Sequence, residues 1–105
     1  MENFKAIYKI LSALEQAMDY PTFDFTCIMP ETLGVSKDRC ARYIEMLSDA
    51  GYIKGAEISE YADGQMAVAI NRIKITLKGL EYLQENKIMR EMYKAARGLK
   101  TVNGL

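Results

Sequence analysis

An Asp-Gly pair at positions 63–64 stands between two β-prone runs, residues 52–62 and 65–75. Asp-Gly between such runs is the strongest short-range signal of a β-hairpin, because a tight turn favours residues that tolerate left-handed backbone. The alternation of apolar and polar residues in the two runs is imperfect, which predicts a bulge near Gly55 or a break near Asn71. The sequence therefore predicts an antiparallel two-stranded arm in the middle of the chain.

A helix is predicted ahead of the arm, over residues 4–18, where apolar residues recur at helical spacing. Asn3 can cap its start, and Pro21 ends it because proline restricts the preceding residue to extended geometry. The helix carries two apolar stripes and therefore requires cover on two sides. The stripes are Phe4, Ile7, Tyr8, Leu11, Leu14 and Met18, and Ala6, Ile10, Ala13 and Ala17.

Two further helices are predicted between the first helix and the arm. Pro30 suits the first turn of a short second helix, and Gly34 suits its end. Ser36 is a good N-cap for the third helix, and Gly51 stands where a left-handed C-cap is wanted. Residues 23–25 are predicted as a very short strand ahead of both.

After the arm, Thr76 can cap a fourth helix, Asn86 interrupts it, and residues 87–99 form an amphipathic fifth helix. This order predicts an α+β, mostly helical fold: a winged helix-turn-helix with a C-terminal helical extension. We expect a winged-helix domain over residues 1–86. Residues 87–105 add an amphipathic helix that packs on this domain or on a partner chain.

Three segments together, residues 4–11, 47–55 and 75–83, resemble the YjcQ-like family of small winged-helix proteins from bacteria and their prophages. They read FKAIYKIL, LSDAGYIKG and ITLKGLEYL. The resemblance runs over nearly the whole chain. It implies the winged-helix fold and passes on no functional residues.

The third helix and the arm carry the cations that a winged helix would turn towards duplex DNA. Such a domain lays its third helix in the major groove, and phosphate contacts supply much of the affinity. The outward direction of this helix, however, holds Asp38, Glu45 and Asp49 beside a single arginine. The same cations can therefore be ordinary solvated charges. The candidate nucleic-acid-binding residues are Lys37, Arg39, Arg42, Arg72 and Lys74.

The formal net charge is zero, but it is unevenly distributed. Residues 87–105 hold five cationic side chains and one anionic side chain, whereas the first 86 residues hold nine and thirteen. Three interpretations of the C-terminal cations are open: a solvated basic edge, a stripe that tracks phosphates, or a dock for an acidic partner such as another copy of the chain. The basic stripe consists of Lys87, Arg90, Lys94 and Arg97.

The residue types argue against catalysis. The chain has no histidine, which removes the commonest general base and metal ligand, and it has no phosphate-binding glycine loop. Cys27 and Cys40 are expected to be free thiols, with a disulfide or redox pair as the alternative. We therefore expect no catalytic residues, no metal, no cofactor, no small-molecule ligand and no enzyme activity. Neither a signal peptide nor a membrane helix is recognisable, which favours the cytoplasm.

Two hypotheses follow. In the first, the protein is a DNA-binding transcriptional regulator that uses the third helix and the wing on duplex DNA. In the second, it is a non-catalytic protein-interaction module on a winged-helix scaffold that does not read DNA. Its partner would be an acidic protein, or a second copy of the chain in a homodimer through the first and fifth helices.

Overall fold

A computed structural model describes the backbone of residues 2–22 and 24–96, and the side chains of residues 3–22 and 24–87. Within these residues the chain forms four α-helices and four short strands, which confirms the α+β, mostly helical class. Two short 3-10 segments, Ala17–Asp19 and Phe25–Ile28, lie between the first two helices. The helices are α1 (Glu2–Gln16), α2 (Pro30–Leu33), α3 (Lys37–Asp49) and α4 (Leu77–Ala96), and the strands are β1 (Ile53–Lys54), β2 (Glu57–Glu60), β3 (Met66–Ala69) and β4 (Lys74–Ile75).

The junction between α2 and α3 confirms the predicted start and stop signals. Pro30 occupies the first position of α2, and Gly34 ends that helix in the left-handed conformation, with φ of 72°. The Ser36 hydroxyl accepts a hydrogen bond from the backbone N–H of Arg39 at 3.1 Å. It thereby satisfies one of the donors that the first turn of a helix leaves without an intrahelical partner. The amino end of α3 lies exposed at this junction.

The end of α3 is joined directly to the start of α4. Gly51 is left-handed, and the N–H of Tyr52 donates to the carbonyl of Leu47 at 3.0 Å, which closes α3 as predicted. The Thr76 hydroxyl donates to the Gly51 carbonyl at 2.6 Å. The hydroxyl oxygen of Thr76 in turn accepts a hydrogen bond from the backbone N–H of Gly79 at 3.1 Å, which confirms Thr76 as the N-cap of α4.

The arm between α3 and α4 is broken into two antiparallel ladders. β1 pairs with β4 next to the core, and β2 pairs with β3 farther out. Between the ladders, residues 55–56 on one side face residues 70–73 on the other, so the regular pairing is interrupted at both of the predicted places. Gly55 has a φ of 87°, and a Cβ atom at this position would lie 2.1 Å from the carbonyl oxygen of Arg72. The break therefore depends on a residue without a side chain.

The tip of the arm is a three-residue loop. The N–H of Tyr61 donates to the carbonyl of Gln65 at 2.8 Å, and the N–H of Gly64 donates to the carbonyl of Tyr61 at 2.9 Å. Gly64 is left-handed, with a φ of 89°, which is typical of a turn that ends in a glycine bulge. The Asp63 carboxylate accepts from the N–H of Gln65 at 3.0 Å. The hairpin predicted from the Asp-Gly pair is confirmed.

One hydrophobic core joins α1, α3, the β1–β4 ladder and α4. Of the two stripes of α1, the one with Ala6 and Ile10 is the more deeply buried at its amino-terminal half, and Phe4 and Met18 are exposed. Leu83 of α4 belongs to the same core, so α4 covers part of α1 within a single chain. The buried apolar residues are Ala6, Ile10, Leu11, Leu14, Ile28, Leu33, Cys40, Ala41, Tyr43, Ile44, Leu47, Ile53, Ile73, Ile75 and Leu83.

Two predictions near the amino terminus are wrong. The first helix already includes Asn3, so this residue lies within the first turn and does not cap it. Phe25 begins a 3-10 segment instead of ending a strand, because the Asp24 carboxylate accepts from both the N–H and the hydroxyl of Thr26 and caps the turn. Phe23, the remaining residue of the predicted strand, lies outside the described residues.

The predicted interruption at Asn86 is also wrong, because α4 runs without a break from Leu77 to Ala96. The Asn86 side-chain amide donates to the carbonyl of Tyr82, one turn earlier, at 2.8 Å. An asparagine inside a helix costs less than about 1 kcal/mol relative to alanine, so a single one does not end it. The fourth and fifth predicted helices are therefore one helix over the described range.

Candidate functional site

The outward face of α3 carries balanced charge. Arg42 Nε lies 3.3 Å from Glu45 Oε1, one turn along the helix. The two side chains are 64% and 38% exposed, so this ion pair contributes at most about 1 kcal/mol, yet it neutralises the middle of the face. The charged residues of α3 on the surface are Lys37, Asp38, Arg39, Arg42, Glu45 and Asp49.

Arg39, a second predicted nucleic-acid contact, is directed at α1. Its Nη1 donates to the side-chain oxygen of Asn3 at 2.8 Å, and the hydroxyl of Tyr43 donates to the same oxygen at 2.5 Å. Tyr43 is buried, so the three side chains join α1 to α3 across the edge of the core. The guanidinium therefore has a structural partner 36 positions away in sequence, which periodicity does not reveal.

The arm separates positive from negative charge along its length. Residues 55–71 include Glu57, Glu60 and Asp63 and no lysine or arginine. All three carboxylates belong to exposed residues. The outer part of the arm is therefore acidic, and it would repel a phosphate backbone.

The cations of the arm meet at its base, next to the core. The predicted residues Arg72 and Lys74 are both exposed there. Lys54 is the direct cross-strand partner of Lys74, so the structure adds it to them. Like charges directly opposite each other in a ladder are unfavourable. Lys54 is not recognisable from the sequence as part of this cluster, because only the pairing register shows it beside Lys74.

An apolar groove lies between α3 and the arm, which we call the α3–β3 groove. Its volume is about 680 Å³, which is within the usual range of ligand sites. The groove is not predictable from the sequence, because it forms between elements that are distant along the chain. Lys37 and Glu31 are its charged residues. The groove is lined by Ile28, Met29, Pro30, Glu31, Val35, Lys37, Cys40, Ala41, Ile44, Met66, Ala67, Val68 and Ile70.

The C-terminal basic stripe lies mostly outside the described residues. Lys87 is exposed on α4. Arg90 and Lys94 fall on the helical backbone, but their side chains are beyond the described range, and so is the whole of Arg97. The stripe therefore stays a prediction.

The two cysteines are both free thiols, as expected, and they differ sharply in environment. Cys27 is exposed. Cys40 is buried on α3, and its Sγ donates to the carbonyl of Ile28 at 3.5 Å. Burial, and to a smaller extent the negative charge of Glu31, raise the pKa of the Cys40 thiol. Cys40 is therefore held in the protonated form at neutral pH.

This difference predicts two separate rates of thiol modification. With an excess of an aromatic disulfide reagent at pH 8, Cys27 will react first. Cys40 will react about tenfold more slowly, or more slowly still, because the thiolate is the nucleophile and the raised pKa of Cys40 leaves less of it. Absorbance of the released thiol measures both phases, and C27S should remove only the fast one. A fast phase that survives in C27S would contradict the assignment.

The described residues also limit two other kinds of site. No helix there is both long enough and apolar enough to cross a membrane. Nor does any group of three or more cysteine, aspartate or glutamate side chains in this part of the chain stand close enough to hold a metal ion.

These features define a small, mostly helical α+β domain with two short antiparallel ladders, a charge-balanced third helix and an adjoining apolar groove. The chain belongs to the YjcQ protein family, whose model matches residues 8–102. No curated protein and no solved structure matches the chain. The resemblance stated from the three sequence segments is thereby confirmed.

Proposed function

We propose that this protein is a non-catalytic recognition domain of the winged helix-turn-helix type that binds another protein in the α3–β3 groove. In this arrangement α1, α2 and α3 are the helical core, the broken arm is the wing, and the last part of α4 is the C-terminal extension. The observation that carries the proposal is the groove itself. A sizeable concavity lined mainly by apolar side chains next to an exposed helix is typical of a binding site.

The charge distribution supports a protein partner over DNA. Arg42 is paired with Glu45, and Arg39 is hydrogen-bonded to Asn3, so both would have to exchange a partner to contact phosphate. The acidic outer arm would face the same duplex that α3 entered. Since phosphate neutralisation supplies much of the affinity of DNA-binding proteins, this surface is poorly suited to it.

Duplex DNA is the second candidate, and one observation favours it. Lys54, Arg72 and Lys74 form an exposed basic cluster at the base of the arm, with two of them directly opposite each other. An anion that binds to such a cluster reduces the repulsion between its cations, which makes the binding free energy more favourable. Lys37 at the amino end of α3 would add a further contact.

A salt titration separates the two candidates. Fluorescence anisotropy with a labelled mixed-sequence duplex is measured between 25 and 200 mM salt, values on the order of those that reveal phosphate contacts. We expect no saturable binding even at the lowest salt. A DNA-binding protein would instead lose affinity with a slope of roughly −0.9 per phosphate contact, and changing Lys54, Arg72 and Lys74 to Ala would flatten it.

The matched control changes Lys5 and Lys9 to Ala, since these are exposed lysines on α1, away from the arm. Saturable, salt-dependent binding that the cluster variant weakens and the α1 control does not would overturn the proposed protein-binding function in favour of DNA.

We also propose a cytoplasmic location, supported by the lack of a membrane-spanning helix in the described range.

A further inference from the structure

The α3–β3 groove runs beside the edge of a strand. One wall is a single stripe of α3, formed by Lys37, Cys40 and Ala41, and Ile44, which recur at helical spacing. The opposite wall includes Met66, Ala67 and Val68, three consecutive residues of β3. Met66 and Val68 lie on the same face of the strand, and Ala67 between them also borders the cavity, so the groove reaches the strand itself as well as its side chains.

That edge of β3 has no partner strand. β3 pairs with β2 alone, in a two-stranded ladder. The hydrogen bond from Tyr61 to Gln65 fixes the alternation of the ladder, so that Ala67 and Ala69 are the β3 residues bonded to β2. The N–H and C=O groups of Met66 and Val68 therefore point away from β2, at the free edge of the strand. Among the described residues, no hydrogen bond to these groups is found.

The two edges of the outer ladder differ in chemistry. β2 carries Glu57 and Glu60, and charged side chains on an edge strand discourage further pairing. β3 is Met-Ala-Val-Ala, without a charge or a proline. An uncharged edge with free backbone groups is a template for another strand. Here it stands opposite an apolar floor that would receive the side chains of that strand.

We propose that the groove binds an extended apolar segment of a partner protein, which adds to the free edge of β3 as a third strand. Main-chain hydrogen bonds to Met66 and Val68 provide the pairing, and alternate apolar side chains of the segment fill the space over Ala41 and Ile44. The inference rests on the proposed protein-binding function and names its partner class.

Charge defines one end of the segment. Lys37 lines both the groove and a smaller polar recess at the amino end of α3, formed with Ser36, Asp38, Gln65 and Met66. It is the one cationic side chain found to line the groove among the described residues. The segment therefore carries an acidic residue at the end that lies beside Lys37.

The geometry favours a single strand over the arm of a second copy. A second arm would bring its own β2, with Glu57 and Glu60, and its β3 is Met-Ala-Val-Ala, which has no acidic residue to place beside Lys37. A lone extended segment has no such second strand. It needs to match only β3, which is about 13 Å long at 3.3 Å per residue.

The test uses two synthetic peptides, acetyl-Asp-Asp-Val-Ala-Val-Ala-Val-amide and the same apolar strand with the aspartates at the other end. Titration into the full-length, ¹⁵N-labelled protein is followed by amide chemical shifts and hydrogen exchange. We expect one peptide to bind and to protect the amides of Met66 and Val68. The amides of Ala67 and Ala69, already bonded to β2, serve as internal controls and should change little.

Two matched sets of variants sharpen the result. Two modified forms of the bound peptide are prepared, one with the backbone nitrogens of its Val residues methylated and one with those of its Ala residues methylated. Only alternate N–H groups of the peptide face β3, so one form should lose binding and the other should keep it. Lys37→Glu should lower the affinity for the acidic peptide about tenfold and raise the affinity for a peptide with Lys in place of Asp. Lys9→Glu, a change of an exposed lysine on α1 outside the groove, should leave both affinities unchanged.

Equal affinity of the two N-methylated peptides, or the absence of any change at Met66 and Val68, would overturn the strand addition. So would protection of these two amides that rises with protein concentration without peptide, because the occupant would then be a second copy. A failed peptide titration together with no DNA binding overturns this inference alone. Saturable DNA binding at the basic cluster overturns the proposed function itself.

Discussion

G55A will destabilise the fold by about 3 kcal/mol or more, a loss that combines left-handed backbone strain with a steric clash. The new Cβ would lie 2.1 Å from the carbonyl oxygen of Arg72 and 2.9 Å from its carbonyl carbon. Both are backbone atoms, so no side-chain rotation relieves the contact. The two ladders of the arm would have to move apart. Urea denaturation followed by circular dichroism measures the change in the free energy of unfolding.

G64A is the matched control for this prediction. Gly64 has nearly the same φ, 89° against 87°, but an added Cβ would meet no atom within 4 Å. It should therefore cost only the backbone strain, about 1–2 kcal/mol. If G55A and G64A lose equal stability, the close approach of residue 55 to the Arg72 carbonyl is not the reason that the break needs a glycine.

G79A will also destabilise the protein, by about 2 kcal/mol, although Gly to Ala inside a helix normally gains about 1 kcal/mol. A Cβ on Gly79 would lie 2.4 Å from the carbonyl oxygen of Tyr52 and 2.6 Å from Ile75 Cγ1. The Tyr52 carbonyl accepts a hydrogen bond from the N–H of Thr76 at 3.0 Å, so it is not free to withdraw. The first turn of α4 must therefore shift away from Tyr52 and β4.

Thermal unfolding of this variant should show a lower midpoint than that of the parent protein. Q84A, a change at an exposed position of the same helix, controls for helix propensity and should alter stability by less than about 0.5 kcal/mol. An increase in the stability of G79A would mean that propensity outweighs the contact with Tyr52. The close approach of α4 to the Tyr52 carbonyl would then be wrong.

Local signals predicted the parts of the fold that depend on neighbouring residues. Ser36 and Thr76 cap their helices, and Gly34 and Gly51 end theirs, because each acts through backbone groups within a few positions. The break near Gly55 is also predictable from neighbouring residues, because the imperfect alternation of the strands indicates a local loss of pairing.

The two errors at the helix boundaries both concern an asparagine, but their physical causes differ. Asn3 is a good capping residue, but its side chain accepts hydrogen bonds from Arg39 and Tyr43, and tertiary contacts decide where α1 begins. At Asn86 a small local penalty was overestimated, because the side chain bonds back to Tyr82 within the continuous helix. At Asn3 the partners are distant in sequence, whereas at Asn86 the partner lies one turn back in the same helix.

The candidate site was less predictable than the fold. Charge counting along α3 placed Arg39 and Arg42 among nucleic-acid contacts, but it could not show that each has a partner in the folded chain. The pairing of Lys54 with Lys74 and the α3–β3 groove depend on register and on packing between distant elements. No periodicity within a single helix or strand contains that information.

The break in the arm makes its outer half an exchangeable module. The alternation of buried and exposed positions is reset across the break: Ile53 and Ile75 are buried in the inner ladder, whereas Ile58 and Val68, each an odd number of positions away, are the half-buried pair of the outer ladder. Evolution or design could therefore replace residues 56–70 with a hairpin of another length or chemistry while the inner ladder keeps its own pairing. Divergence of binding specificity among relatives would then concentrate in this insert, while the glycine before it stays fixed.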